Sequence, residues 1–122
     1  FHEAKIKGQD EVIIWGTGSP KREFLHVDDL AEACYFLMLN YDQETALNVG
    51  TGTDIAIRDL AEMIKNIVAF GSRIVNDLNK PDGTPRKFLD VSKINAIGWK
   101  AKISLEEGIK MTYEGLKNED WY

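Results

Sequence analysis

The sequence predicts an α/β (α+β) domain of about three short strands and four helices. Short apolar runs such as Val12-Ile13-Ile14 and Ala46-Leu47-Asn48-Val49 break off at glycine turns, as strands do, and between them apolar residues recur at helical spacing. With 122 residues, 43% of them hydrophobic, the chain can build one core and is too short for two. Composition then removes whole classes of function. Against 20 acidic residues stand 15 basic ones, a formal net charge of -5, and runs of like charge stay short, so nothing provides the basic footprint that nucleic acid needs. Apolar runs stop well below the roughly 18 residues of a membrane span, and the first residues carry no basic-then-apolar leader. A soluble protein with neither a nucleic-acid nor a membrane partner is expected. The single cysteine, Cys34, has no partner for an internal disulfide, which fits a cytoplasmic protein.

Taken in order, Phe1 to Ile6 reads as the last turns of a helix with no capping residue ahead of it, which points to a fragment of a longer protein. Lys7 to Asp10 is a turn and Glu11 to Trp15 a strand. The loop after it, broken by Gly16, Gly18 and Pro20, leads to a helix from Asp28 or Asp29 to Asn40. Two acidic residues suit the positive end of that helix, and Leu30, Ala33, Cys34, Leu37 and Met38 form its apolar stripe. Cys34 is accordingly expected in the core. Ala46 to Val49 is a strand ending in Gly50-Thr51-Gly52. Ile57 to Ala69 is a helix with Leu60, Ala61, Ile64, Ile67 and Val68 facing inward, Asp54 as the nearest capping group and Gly71 as its stop. Arg73 to Asn76 is the third strand, followed by the richest turn segment, Asn79 to Lys87, in which Pro81 and Pro85 restrain the backbone. Asp90 caps a short helix from Val91 to Ile97 that Gly98 stops. Ser104-Leu105-Glu106-Glu107 is a capping box opening a last helix, with Leu105, Ile109, Thr112 and Leu116 along one face. Asn118 to Tyr122 reads as a frayed polar tail.

Trp15 and Arg22 bracket the first glycine-rich loop, seven residues apart. An indole face stacks on a base and a guanidinium fork binds phosphate through two bonds, which are the two demands of a nucleotide diphosphate. Asp82 and Arg86 lie in the second such loop, again beside a strand end, where ligands of α/β sheets sit. Singly, each has a plainer explanation: surface arginines, a core tryptophan, an aspartate favouring a turn before glycine. Together, Trp15, Arg22, Asp82 and Arg86 make a ligand site. Both Gly-Thr-Gly turns lack Gly-x-Gly-x-x-Gly spacing and read as simple turns rather than phosphate cradles. His26, set among Phe24, Leu25 and Val27 and beside Asp28, reads as a structural histidine. His2 is the other histidine of the chain, so no metal site is expected.

The run Arg22-Glu23-Phe24-Leu25-His26-Val27-Asp28-Asp29 resembles the Arg-x-Phe-x-His-Val-x-Asp signature of the extended short-chain dehydrogenase/reductases that act on nucleotide sugars. The longer string from Val12 to Asp29 is similar to the branch of that family acting on GDP-4-keto-6-deoxy-mannose. So are Asn48-Val49-Gly50-Thr51-Gly52, Lys80-Pro81-Asp82-Gly83-Thr84-Pro85-Arg86-Lys87, Leu89-Asp90-Val91 and Gly98-Trp99, all in the family's order. The resemblance implies an enzyme that epimerises C3 and C5 of the sugar and reduces C4 with NADPH. It also implies that Trp15 and Arg22 hold the nucleotide part of the substrate, that Asp82 touches substrate, and, by extension from related enzymes, that Arg86 meets phosphate. In the family the dinucleotide fingerprint, the hydride-transfer centre and the epimerisation acid and base lie upstream of Phe1. Residues 1–122 are therefore expected to be a single C-terminal substrate-binding part of a Rossmann-type enzyme, inactive alone, carrying no catalytic residue and no cofactor. Its expected partners are a GDP-sugar, the absent N-terminal NADP-binding domain and, in the parent, a second copy in a homodimer. Tyr113 and Lys117 share Tyr-x-x-x-Lys spacing by coincidence. Another nucleotide-sugar epimerase or dehydratase, a stand-alone nucleotide-sugar-binding module, and a structural domain that binds nothing are the alternatives. Apolar surface left by the missing part is expected to lie bare.

Overall fold

A computed structural model describes residues 1–118. Along the chain run α1 (His2–Ile6), β1 (Glu11–Trp15), β2 (Lys21–Arg22), α2 (Val27–Asn40), β3 (Ile55–Ala56), α3 (Ile57–Val68), β4 (Arg73–Asp77), β5 (Arg86–Lys87), α4 (Ser92–Ala96) and α5 (Leu105–Asn118). The predicted mixed class is the one observed. The strand β1 pairs in parallel with β4, from Glu11 opposite Arg73 to Trp15 opposite Asp77. A parallel pair cannot be closed by a hairpin, and the crossover here carries α2 and α3. In the second sheet β2 is central, antiparallel to β3 and parallel to β5. Each of these strands has two residues, too few to leave a period-two signal, and none was foreseen in the sequence.

One expected strand does not form. Ala46 to Val49 pairs with no other strand among the described residues, and a strand without a partner has no ladder to complete. Leu47 and Val49 still pack inward, against the cluster of Ala33, Val91, Ile94 and Trp99. A second cluster joins Ala4, Val68 and Phe70 with Val12 and Ile64 around them.

Helix α2 starts one residue earlier than expected because His26 caps it: its Nδ1 accepts the Asp28 N–H at 3.3 Å. The structural role read for that histidine is the one found. Asp29 follows, 2% exposed, with its carboxylate accepting the backbone N–H groups of Lys102 (3.1 Å) and Ile103 (2.9 Å). Cys34, expected in the core, is exposed, and Met38 is 82% exposed. Apolar residues occupy more than one stripe of this helix, and periodicity cannot tell which stripe meets the core. It is the line through Ala33, Phe36 and Leu37 that does.

Helix α3 starts at Ile57 as expected, but its capping and its stop differ from expectation. Asp54 makes no cap, and the helix ends at Ala69, which takes the left-handed conformation (φ 55°) that Gly71 was expected to supply. The Phe70 N–H reaches back to the Lys65 carbonyl and its ring is buried just past the cap. That burial holds a residue with a Cβ in a conformation costing about 1–2 kcal/mol. Asp90 accepts the Ser92 N–H from one residue before the cap of α4. The Ser92 hydroxyl, then its backbone N–H, hold the Asp90 carboxyl below the usual carboxylate range. At α5 the Glu107 N–H donates to Ser104 Oγ as the capping box requires, and Leu105, Ile109, Thr112 and Leu116 share one wall of an apolar hollow. The sequence reading of residues 119–122 lies outside the described residues.

Replacing Asp29 with alanine leaves two part-buried amides without their acceptor, and urea unfolding should show a loss of about 2 kcal/mol; a loss near zero would mean that solvent replaces the carboxylate. Ala69→Gly relieves the left-handed strain and should stabilise the chain by about 1 kcal/mol in the same assay.

Candidate functional site

The end of the β1–β4 pair sets the first loop. Beyond Trp15 the Gly16 N–H donates to the Asp77 carbonyl, and Asn76 Nδ2 donates to the Gly16 carbonyl at 2.8 Å, so the turn grows directly out of the sheet. Gly16 has φ +69°, and a Cβ there would stand 2.2 Å from Asp82 Oδ1. The reason is that Asp82 is drawn over the turn: Oδ1 accepts the Thr17 N–H at 2.8 Å and Oδ2 the Thr17 hydroxyl at 2.7 Å. Glycine is thus required twice over, by conformation and by room. At the tip of the strand Trp15 is 71% exposed, with Lys80 Nζ 5.3 Å from its ring centroid. That exposure excludes the core-anchor reading of this tryptophan.

Arg22 lies on β2, half-buried. Its Nη1 donates to the carbonyls of Thr84 (2.7 Å) and Lys21 (2.6 Å), and a Cβ on Gly83 would come within 3.0 Å of Nη2. The segment Asn79 to Lys87 therefore borders both the Trp15 turn and Arg22, and it continues into β5, where Arg86 stands opposite Lys21 and Lys87 opposite Arg22. The two loops that the sequence singled out are one piece of surface. Arg86 is paired through Nε with Asp54, whose side chain is 8% exposed, and its guanidinium carbon lies 4.5 Å over the Phe88 ring. This is where the residue expected to cap α3 is spent.

Sequence reasoning did not single out Glu23. Its Oε1 accepts the N–H groups of Thr51 (2.6 Å) and Gly52 (2.7 Å), and its Oε2 accepts that of Leu89 (3.1 Å). A Cβ on Gly50 would meet Oε1 at 2.5 Å. Successive backbone N–H groups of this kind form an anion nest, and here the anion is the chain's own carboxylate. Neither Gly-Thr-Gly turn is an open phosphate cradle, since Asp82 fills one and Glu23 the other. A small cleft of about 280 Å³ has Arg22, Glu23, Gly50, Lys87, Phe88 and Leu89 in its lining. The larger apolar hollow, about 650 Å³, lies between α3 and α5 with Phe24, Ile64, Ile103 and Ile109 in its walls. It is apolar and offers a polar ligand little to bond. Tyr113 belongs to its wall, and Lys117 lies 4.6 Å over the Tyr113 ring. Among the described residues no group of three or more His, Cys, Asp and Glu side chains is placed to hold a metal, and no helix is long and apolar enough to cross a membrane.

Comparison with known proteins bears on the same residues. Residues 1–50 match the NAD dependent epimerase/dehydratase family. GDP-L-fucose synthase 1 of Arabidopsis thaliana is 52% identical over all 122 residues, which make up 36% of that protein. Over its whole length the chain is similar to proteins named GDP-L-fucose synthase. It spans about a third of the length of the curated relatives it matches. Among solved structures, a GDP-L-fucose synthetase from Naegleria fowleri bound to NADP superposes with a TM-score of 0.89 at 26% identity, over 96% of this chain and 37% of that one. A GDP-6-OMe-4-keto-L-xylo-heptose reductase from C. jejuni gives 0.82 at 43% identity, over 89% of this chain and 34% of that one. The mixed helix-and-strand architecture of this chain thus matches a portion of those larger Rossmann-type structures.

The Gly16 turn should tolerate no side chain. Gly16→Ala is expected to lower stability by about 2 kcal/mol through its positive φ alone and to release the Thr17 amide from Asp82. Denaturant unfolding with amide hydrogen exchange checks both, and an unchanged Thr17 exchange rate would contradict the contact.

Proposed function

We propose that this chain is the GDP-sugar-binding portion of a GDP-L-fucose synthase, an enzyme converting GDP-4-keto-6-deoxy-mannose to GDP-L-fucose by 3,5-epimerisation and NADPH-dependent reduction at C4. The observation that carries the proposal is that the Asn79–Lys87 segment unites an exposed indole and a fixed guanidinium on one surface, in a chain 52% identical to such an enzyme. Trp15 supplies a face for the base. Arg22, already aimed by Thr84, has its remaining N–H donors for the diphosphate. Asp82 contributes by shaping the turn that carries Trp15, through both bonds to Thr17. Arg86, tied to Asp54 at Nε, turns its other nitrogens to phosphate. Contacts of this kind, remote from the reacting carbon, hold the sugar where chemistry occurs and so contribute to rate.

The described residues do not fit NADPH. Its pyrophosphate needs open backbone N–H groups, and the two glycine turns present carboxylates instead. The cofactor, the proton-transfer residues and the hydride step belong to the portion of the parent outside this chain, here read as an N-terminal NADP-binding domain, and residues 1–122 alone should turn over no substrate. The remaining partners proposed are that domain and, in the parent, a second copy. A cytoplasmic location fits a free cysteine and a sugar-nucleotide substrate.

Calorimetric titration of the chain with GDP, GDP-mannose and UDP tests the reading. The guanosine ligands should bind in preference, and Arg22→Ala should weaken them about tenfold or more, the scale of one charge-assisted bond. Trp15→Ala should weaken GDP without restoring UDP. A preference for UDP would point instead to another nucleotide-sugar epimerase or dehydratase.

A further inference from the structure

We propose that Glu23 is the positioning residue of this site: it locks the register of the three-stranded sheet that presents Arg22 and Lys87. The clause about ligand rests on the function proposed above, whereas the clause about register stands on geometry. The sheet has two residues per strand, with Lys21 and Arg22 opposite Ala56 and Ile55 on one side and Arg86 and Lys87 on the other. Pairings this short hold register weakly, and a slip of one residue turns each side chain to the other face. Arg22 would then exchange places with Lys21, and the bond to Thr84 would be lost.

Glu23 follows β2 directly and is bonded beyond both neighbours at once. One carboxylate oxygen takes the Thr51 and Gly52 amides in the turn before β3, and the other takes the Leu89 amide two residues past β5. Gly50 gives the carboxylate room to enter. Both ends of this side chain must accept, and only a carboxylate does so. The amide of glutamine turns a donor toward one of the two flanks and must release it. Aspartate keeps the charge and is one methylene short of the span. Arg22 is the neighbour that feels the loss, because its guanidinium is aimed by a carbonyl of the same β5 approach, Thr84.

The test compares the wild-type chain with Glu23→Gln, Arg22→Ala and the double variant, by amide and guanidinium hydrogen exchange and by GDP titration. In E23Q, exchange should rise at least tenfold at Leu89 or at Thr51 and Gly52, and the Arg22 guanidinium should lose its protection while α3 and α5 keep theirs. GDP should bind about tenfold more weakly in E23Q, and E23Q should cost nothing further on top of Arg22→Ala, because Glu23 acts through Arg22. A general loss of structure would not produce that non-additivity. Equal costs in both backgrounds, or unchanged exchange at all three amides and at Arg22, would overturn the inference. If the wild-type chain binds no GDP, the proposed function is what has failed, and the exchange pattern alone decides on Glu23. Should E23Q not fold, Glu23→Asp carries the same readouts with the charge retained.

Discussion

Carboxylates that accept backbone amides from distant parts of the chain hold this small fold together. Asp29 binds the amides of residues 102 and 103, Glu23 those of 51, 52 and 89, and Asp82 that of Thr17. These contacts close separations of 28 to 74 residues and reinforce sheets of which two strands have five residues and three have two. Each answers the same constraint: an irregular segment leaves amides with no ladder partner, and a buried amide without an acceptor is costly. An ionised carboxylate is the strongest acceptor a side chain can offer and takes several amides at once. In a chain with an excess of acidic residues such acceptors are plentiful.

The arrangement also explains how the candidate site can be both acidic in its framework and cationic in its presentation. Asp82 and Glu23 are engaged on backbone amides, while Trp15, Lys80, Arg86 and Lys87 are exposed along the two loops and Arg22 is half-buried between them. Arg86 is the partial exception, since Asp54 takes one of its nitrogens. Neither glycine turn offers an open phosphate cradle, in keeping with their reading as simple turns in the sequence. The glycines serve an internal anion.

What could be read from sequence were features with their own local signature. The strand at Glu11–Trp15, the helix around Ile57–Val68 and the capping serine at Ser104 carry period, length and cap chemistry within a dozen residues. Trp15 could be placed at a strand end for the same reason, whereas Arg22, read as a loop residue, lies on the unforeseen strand β2. What could not be read depends on a second segment. Ala46 to Val49 has the composition of a strand, but being one requires a neighbour; Asp54 has the composition of a cap, but Arg86 competes for it. The side that Cys34 takes on α2 is settled by which of two apolar stripes meets Trp99 and Ile94. Glu23 and Asp82 act over 28 to 66 residues, and no local pattern encodes the distance, though a glycine that tolerates no Cβ at Gly16 or Gly50 is its trace.

Helix α2 leaves its outer stripe uncovered, with Val27, Tyr35, Met38 and Leu39 open to solvent and Cys34 among them. Because that thiol is the sole cysteine of the chain, a single chemical label goes to one known place, in the middle of the bare stripe. A dye attached there senses the polarity of whatever lies over α2, so the molecule carries a built-in reporter of when its apolar side is wet and when it is covered.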